Sequence, residues 1–160
     1  MLAFRETRLS DIDALFDVRG RTRQNPLSRA DLAQLGITPQ STAAAFGSGE
    51  VVGFVCTHNN NVVGFCSGKT GSGEILVLAV LADYEGRGVG KQLLSSVVAH
   101  LHQTGARRVW LAAAADPAVR AHGFYRSLGW RPTGELTPNG DEILELPPPR
   151  TCHARNHTGD

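Results

Sequence analysis

The sequence predicts a single mixed α/β domain of about seven strands, and three observations carry that prediction. Strand-like and helix-like hydrophobic periodicities follow one another in the order β-ααα-β-β-β-α-β-α-β-β, separated by turn residues with no linker or repeat. Two β-rich runs, 51–58 and 62–67, are joined by Asn59-Asn60-Asn61, and asparagine tolerates the positive φ of a hairpin turn. A continuous apolar run, 74–81, passes through glycines at 86, 88 and 90 into an amphipathic helix. The domain is expected to occupy 1–146, with 147–160 as a polar, loosely ordered tail.

The elements follow in order. Residues 3–8 form a short first strand. Ser10-Asp11-Ile12-Asp13 has the spacing of a capping box, with Ile12, Leu15 and Phe16 on one helical face. After the polar segment RGRTRQNPLS, a second box at Ser28-Arg29-Ala30-Asp31 opens a short helix that stops at Gly36. Thr38 then caps a third helix with Pro39 at its first position. The run EILVLAVL at 74–81 reads as a strand buried on both faces. Beyond the glycines, Val89, Leu93, Leu94, Val97, Val98 and Leu101 recur at helical spacing, and Gly105 ends that helix. A strand at 107–113, a helix at 117–128 closed by Gly129, and a hairpin of 130–136 with 142–146 around Thr137-Pro138-Asn139-Gly140 complete the chain.

Composition excludes several function classes. A net charge of +1 with no Lys/Arg block argues against a nucleic-acid footprint or a polybasic membrane patch. No apolar run approaches the roughly 18 residues of a membrane span, and the start MLAFRETRLSD lacks the apolar core of a secretory signal. The three cysteines, Cys56, Cys66 and Cys152, are odd in number and form no CxxC, so a disulfide framework is not expected. A cytoplasmic protein is the resulting expectation. Metal binding is not expected either. His100 and His102 lie two apart on a helix and cannot share a face, and Cys152, His153 and His157 sit in the tail without a second ligand cluster.

The segment ADYEGRGVGKQLL, 82–94, carries the chemistry. Glycines at the mouth of a helix let backbone N–H groups converge on an anion, and the unpaired first-turn amides and the dipole add to the attraction. Arg87 and Lys91 add charge. Three phosphate-loop patterns compete. For the Walker pattern, Gly68-Lys69-Thr70 supplies the end, but Val63 stands where its first glycine belongs. For the dinucleotide pattern GxGxxG, Lys91 holds the place of the third glycine. The third pattern is [Q/R]xxGx[G/A], the acyl-CoA pyrophosphate loop of the GNAT N-acetyltransferases. Here it reads EGRGVG, with Glu85 where Gln or Arg is usual. The preceding strand begins at Glu74, Ala82 replaces the usual proline after it, and HGFYRSLGW at 122–130 resembles the family's FYxxxGF/W segment. The chain therefore resembles a GNAT N-acetyltransferase, by motif over roughly 74–135 and by element order over almost all of 1–146.

That resemblance implies a central, mixed but mostly antiparallel sheet flanked by helices. It also implies acetyl transfer from acetyl-CoA directly to the primary amine of a small molecule or peptide. The pyrophosphate of the co-substrate would rest on Glu85, Gly86, Arg87, Gly88, Val89, Gly90 and Lys91, with Glu85 turned away and the main-chain amides binding. The pantetheine arm would lie along Leu78, Ala79 and Val80, where a main-chain N–H would polarise the thioester carbonyl. Tyr125 is implied as the acid for the departing thiolate; on its own it reads rather as a packed aromatic beside Phe124. Glu74 is implied as a base acting through water, against the plainer reading of a strand-end carboxylate. Ala118 departs from the family, which often has Asn there. Arg120 and His122 are close in sequence to that gap and otherwise read as solvent-facing.

The acceptor would meet parts of 19–47 and 131–144. Arg19, Arg21 and Arg23 could meet a carboxylate there, or simply form a solvated face. A chain of this size is compatible with a homodimer. From a different class, a non-catalytic acyl-CoA-binding sensor would keep the same loop and show no turnover.

Overall fold

Asparagine backbone preferences set the first sheet. Asn59 and Asn60 take φ of 54° and 68°, the geometry of a two-residue hairpin whose twist matches that of its strands. They join β2 (Val51–His58) to β3 (Asn61–Lys69), so Asn61 already belongs to a strand. β1 (Leu2–Glu6) pairs with β2, and β4 (Ile75–Val80) with β3, in the order β1-β2-β3-β4. Three further strands, β5 (Trp110–Ala113), β6 (Arg131–Leu136) and β7 (Glu142–Glu145), form a second sheet in the order β5-β7-β6. The seven expected strands are present, divided four and three, and the pairings among the described residues are antiparallel. This computed structural model describes residues 1–23 and 26–147; the expected tail beyond Pro147, with Cys152, His153 and His157, lies outside them. The chain divides into two compact units, Met1–Val109 and Trp110–Asp160, the first holding the four-stranded sheet and the second the three-stranded one.

In the first unit the helices cover both faces of the sheet. α4 (Val89–Gln103) buries Val89, Leu93, Leu94, Val97 and Leu101. It lies close on β3 because Gly68 has no side chain: a Cβ there would stand 2.9 Å from Val97 Cγ1 and 3.0 Å from Leu101 Cδ1. The opposite face of β3 presents Phe65 to α1 (Ile12–Arg19), whose Ile12, Leu15, Phe16 and Val18 form a core cluster with Leu32, Val55 and Ala79. α2 (Arg29–Gln34) and α3 (Pro39–Ser48) begin where their capping boxes predict. Ser28 Oγ accepts from the Asp31 amide and Thr38 Oγ1 from the Ser41 amide. In the second unit, α5 (Arg120–Ser127) starts three residues later than the sequence suggests. Among the described residues no helix is long and apolar enough to cross a membrane.

Two local expectations are corrected. The box at Ser10–Asp13 does not form: Leu9–Asp11 make a 3₁₀ turn and α1 starts at Ile12, with its N-cap at Asp11. The Asp11 carboxylate accepts from both Arg5 guanidinium nitrogens at 2.8 and 3.0 Å and from the Arg8 amide at 2.7 Å. Nor is β4 buried on both faces: Leu76 is 45% exposed and Leu78 and Val80 are half-buried, because β4 is an end strand.

The Arg5–Asp11 pair carries a stability prediction. The hydrogen bonds from Arg5 hold the Asp11 carboxyl below its ordinary pKa, although burial opposes them. A group with a depressed folded-state pKa adds stability above its unfolded value, about pH 4, and loses it as pH falls through the folded value. Asp11→Asn should therefore cost about 2–3 kcal/mol at neutral pH, the worth of charge-assisted hydrogen bonds to a buried carboxylate. Urea denaturation should show the gap from the parent protein closing below about pH 4.

Candidate functional site

The glycine segment folds as a cradle at the mouth of α4. Gly86 and Gly88 take φ of 77° and 80°, in the left-handed region that side chains disfavour. No heavy atom lies within 4 Å of where either Cβ would be, so the backbone is uncovered. Gly88 caps the helix, and its carbonyl accepts from the Gln92 amide at 3.1 Å. The amides of Val89, Gly90 and Lys91 fall in the first turn, where a helix supplies no acceptors. Lys91 is exposed at the same end.

Side-chain partnerships that the sequence does not announce hold this cradle. Tyr84 Oη lies 2.7 Å from His58 Nδ1, tying the short 3₁₀ turn Ala82–Tyr84 to the end of β2. The Arg87 guanidinium stacks over the Tyr84 ring at 5.1 Å. Glu85, 16% exposed, meets Arg23 at 3.4 Å, so its carboxylate is held by a counter-charge from the segment after α1. None of these partnerships had a sequence signal, since each joins residues at least 26 apart or depends on ring geometry.

β4 delivers the chain to this cradle and keeps one edge for other partners. The Leu81 amide donates to the Val63 carbonyl at 2.9 Å. Hydrogen-bonded pairs alternate along an antiparallel ladder. With Phe65 opposite Ala79 and Cys66 opposite Leu78, Ala79 bonds to β3, while Leu78 and Val80 turn their N–H and C=O groups away from it. Between Ser67 and Gly68 the register shifts, leaving Leu76 as an extra residue in β4. Such a bulge bends a strand and re-aims its side chains. Glu74 sits before the strand, at the end opposite the glycine cradle and about 13 Å along the strand from Leu78. Burial raises the Glu74 pKa, and the charge of Lys69 works against that rise.

A cavity of about 470 Å³ opens on the same strand, between α1–α3 and the sheet. Its walls are mainly apolar, with Phe16, Leu27, Phe46 and Phe65 inside and Leu76 and Val77 contributed by β4. Arg19 is the one charged residue among the described ones that line it, half-buried, and burial lowers its pKa. The three arginines of 19–25 thus divide: Arg19 lines a cavity, Arg23 pairs with Glu85, and Arg21 is exposed.

In the second unit, Tyr125 lies on α5 with its ring edge-on to Phe124 at 5.1 Å and to Trp130 at 6.0 Å. Its carbonyl accepts from the amides of Leu128 and Trp130, both at 3.1 Å, which closes the helix into β6. His122 does not simply face solvent: its Nε2 lies 3.9 Å from Glu142, and Arg126 grips the same carboxylate at 2.9 and 2.8 Å. Cys56 and Cys66 are buried free thiols whose pKa values burial raises. Among the described residues no group of three or more His, Cys, Asp or Glu could hold a metal.

The family model of the GNAT acetyltransferases matches residues 11–130. The chain belongs to that family. Membership brings acetyl transfer as the general activity, and the matched span takes in the glycine cradle, β4, the cavity walls and Tyr125. No curated protein matches the sequence. Solved GNAT-fold structures cover nearly all of it. The PaiA N-acetyltransferase of Thermoplasma acidophilum, crystallised with coenzyme A, is similar with a TM-score of 0.75 at 18% identity, over 91% of this chain and 98% of its own. The ribosomal-protein-S18-alanine N-acetyltransferase of Escherichia coli gives 0.63 at 24%, over 92% and 94%. An aminoglycoside 6'-acetyltransferase type Ii gives 0.68 at 17%, over 92% and 99%. At these identities the likeness concerns the fold.

Proposed function

We propose that this GNAT protein transfers acetyl from acetyl-CoA directly to a primary amine, with 1–146 acting as one catalytic domain. The observation that carries the reading is the pair of uncovered, left-handed glycines, Gly86 and Gly88, at the mouth of a 15-residue helix. Diverging backbone of this kind binds a diphosphate through N–H groups and a helix dipole. The segment from Glu85 to Lys91 would hold the diphosphate, with Glu85 kept from it by Arg23.

The arm of the co-substrate would then add to the outer edge of β4, as an extended ligand adds to a sheet. The outward groups of Leu78 and Val80 are suited to this, and an N–H there would stabilise the oxyanion that develops when the amine attacks the thioester carbon. The C–S bond breaks, and the thiolate takes a proton from the Tyr125 phenol. The attacking nitrogen loses its proton to water leading to Glu74; the span along β4 is too long for direct contact.

Acetyl-CoA-dependent thiol release with a panel of amines tests the activity, and calorimetry with CoA, ATP and NAD tests the donor. Binding of ATP or NAD in preference to CoA would overturn the reading. Glu74→Gln makes a separate prediction. A base works only when deprotonated, so the parent rate should rise as pH climbs through the raised Glu74 pKa. The variant should lose that rise and fall at least about tenfold below the parent at neutral pH, at the low end of general-base effects. An unchanged pH profile would return Glu74 to a structural role.

A further inference from the structure

The acceptor is the part of the reaction that the cradle and the strand edge leave open, and the cavity beside β4 speaks to it. Resting on the transferase reading above, we infer that this cavity is the acceptor subsite and takes a primary amine on an apolar body that also bears an anionic group, met by Arg19. The cavity reaches the bulge through Leu76 and Val77 and ends one residue from Leu78, whose amide faces the strand's outer edge. An amine whose body fills the cavity would present its nitrogen towards the middle of β4.

The lining sets the chemical class. At about 470 Å³ the cavity lies within the range of small-molecule sites. Leu35, Ile37 and Leu76 line it while staying 68%, 42% and 45% exposed, so half of the six exposed large hydrophobics among the described residues ring one opening. Exposed apolar surface gathered at one mouth marks a site for an apolar ligand. Polar atoms enter through Ser41, Thr42 and Ser67, which are neutral. Among the described residues no carboxylate lines the cavity to receive a second ammonium group, and the Arg19 cation would repel one. Polyamines and aminoglycosides are therefore the wrong class, whereas a carboxylate beside a hydrophobic side chain suits both the apolar wall and the guanidinium.

The test uses the full chain and four probes: phenylalanine, phenethylamine, which lacks the carboxylate, spermidine and kanamycin. Thiol release should give phenylalanine a kcat/KM about tenfold or more above each of the others, the worth of one charge-assisted hydrogen bond. Arg19→Gln should erase the advantage over phenethylamine. Calorimetry supplies a readout independent of turnover. N-acetylphenylalanine should bind about tenfold more tightly than N-acetylspermidine, and Arg19→Gln should remove that margin. Ala45→Trp, which fills the cavity from α3, should weaken both aromatic ligands. Amine turnover that favours spermidine or kanamycin, or an Arg19→Gln enzyme indifferent to the carboxylate, overturns the subsite and leaves the transferase reading standing. Selective binding of N-acetylphenylalanine without thiol release from any amine does the reverse.

Discussion

Gly88→Asp should abolish measurable CoA binding while the protein stays folded. Two free energies of different size decide this. The first is backbone strain: a side chain at a φ of 80° costs about 1–2 kcal/mol, and Asp is among the residues that tolerate the region best. No atom lies within 4 Å of the new Cβ, so no clash adds to that cost. For a chain of this length such a loss lowers Tm by roughly 2–8 °C, inside the usual stability margin of about 5–15 kcal/mol. The second term falls on the ligand. A carboxylate about 4 Å from each of two phosphate charges is repelled by about 1–4 kcal/mol per charge, depending on solvent screening. Together these weaken CoA by about 30-fold at the screened limit and by far more where solvent is excluded. Gly88→Ala separates the terms, since it carries the strain without the charge. It should shift Tm similarly and cost CoA less than about tenfold. Calorimetry with CoA and thermal melts of both variants provide the measurement. Unchanged CoA affinity in Gly88→Asp would remove the diphosphate from this loop.

Features written in consecutive residues were legible in the sequence. The hairpin turn at Asn59-Asn60-Asn61, shorter by one residue than expected, the box at Ser28, the Thr38 cap and the glycine-to-helix transition at 86–90 all depend on local backbone preferences and formed there. Illegible features depend on residues far apart. Ser10 and Asp13 carry the spacing of a capping box, yet Leu9–Asp11 form a 3₁₀ turn in which the Asp11 carboxylate takes two hydrogen bonds from Arg5 and one from the Arg8 amide. EILVLAVL reads as a doubly buried strand because periodicity cannot distinguish an end strand from a central one; Leu76 is exposed by a bulge set by the register with β3. The cavity was invisible for the same reason. Its walls come from α1–α3 and three strands, and its one cation lies among three arginines that look alike in sequence. Composition sees a polar segment there, while packing buries one arginine, pairs another and exposes the third.

These features gather on β4. Its far end leads into the cradle, its outer edge offers the groups of Leu78 and Val80, and its bulge opens on the cavity. A strand at the end of a sheet is ordinarily a hazard, since unpaired N–H and C=O groups invite association. An acyl donor laid along that edge would satisfy them. The proposed chemistry thus places the donor on a surface that the fold leaves incomplete.

Tyr125→Phe should lower kcat by about 100-fold, the lower range of general-acid effects, with KM for acetyl-CoA changed less than about twofold. The substitution is informative because it keeps most of what Tyr125 does structurally. Its ring still meets Phe124 and Trp130, contacts worth about 0.5–1.5 kcal/mol each. The bonds that end α5 come from the Tyr125 backbone carbonyl and do not involve the hydroxyl. Removing the hydroxyl therefore tests the acid with the packing held constant. A purely structural Tyr125 predicts another pattern: a lower Tm, with similar losses in kcat and in acetyl-CoA affinity. Steady-state rates with a saturating amine, alongside thermal melts, distinguish the two.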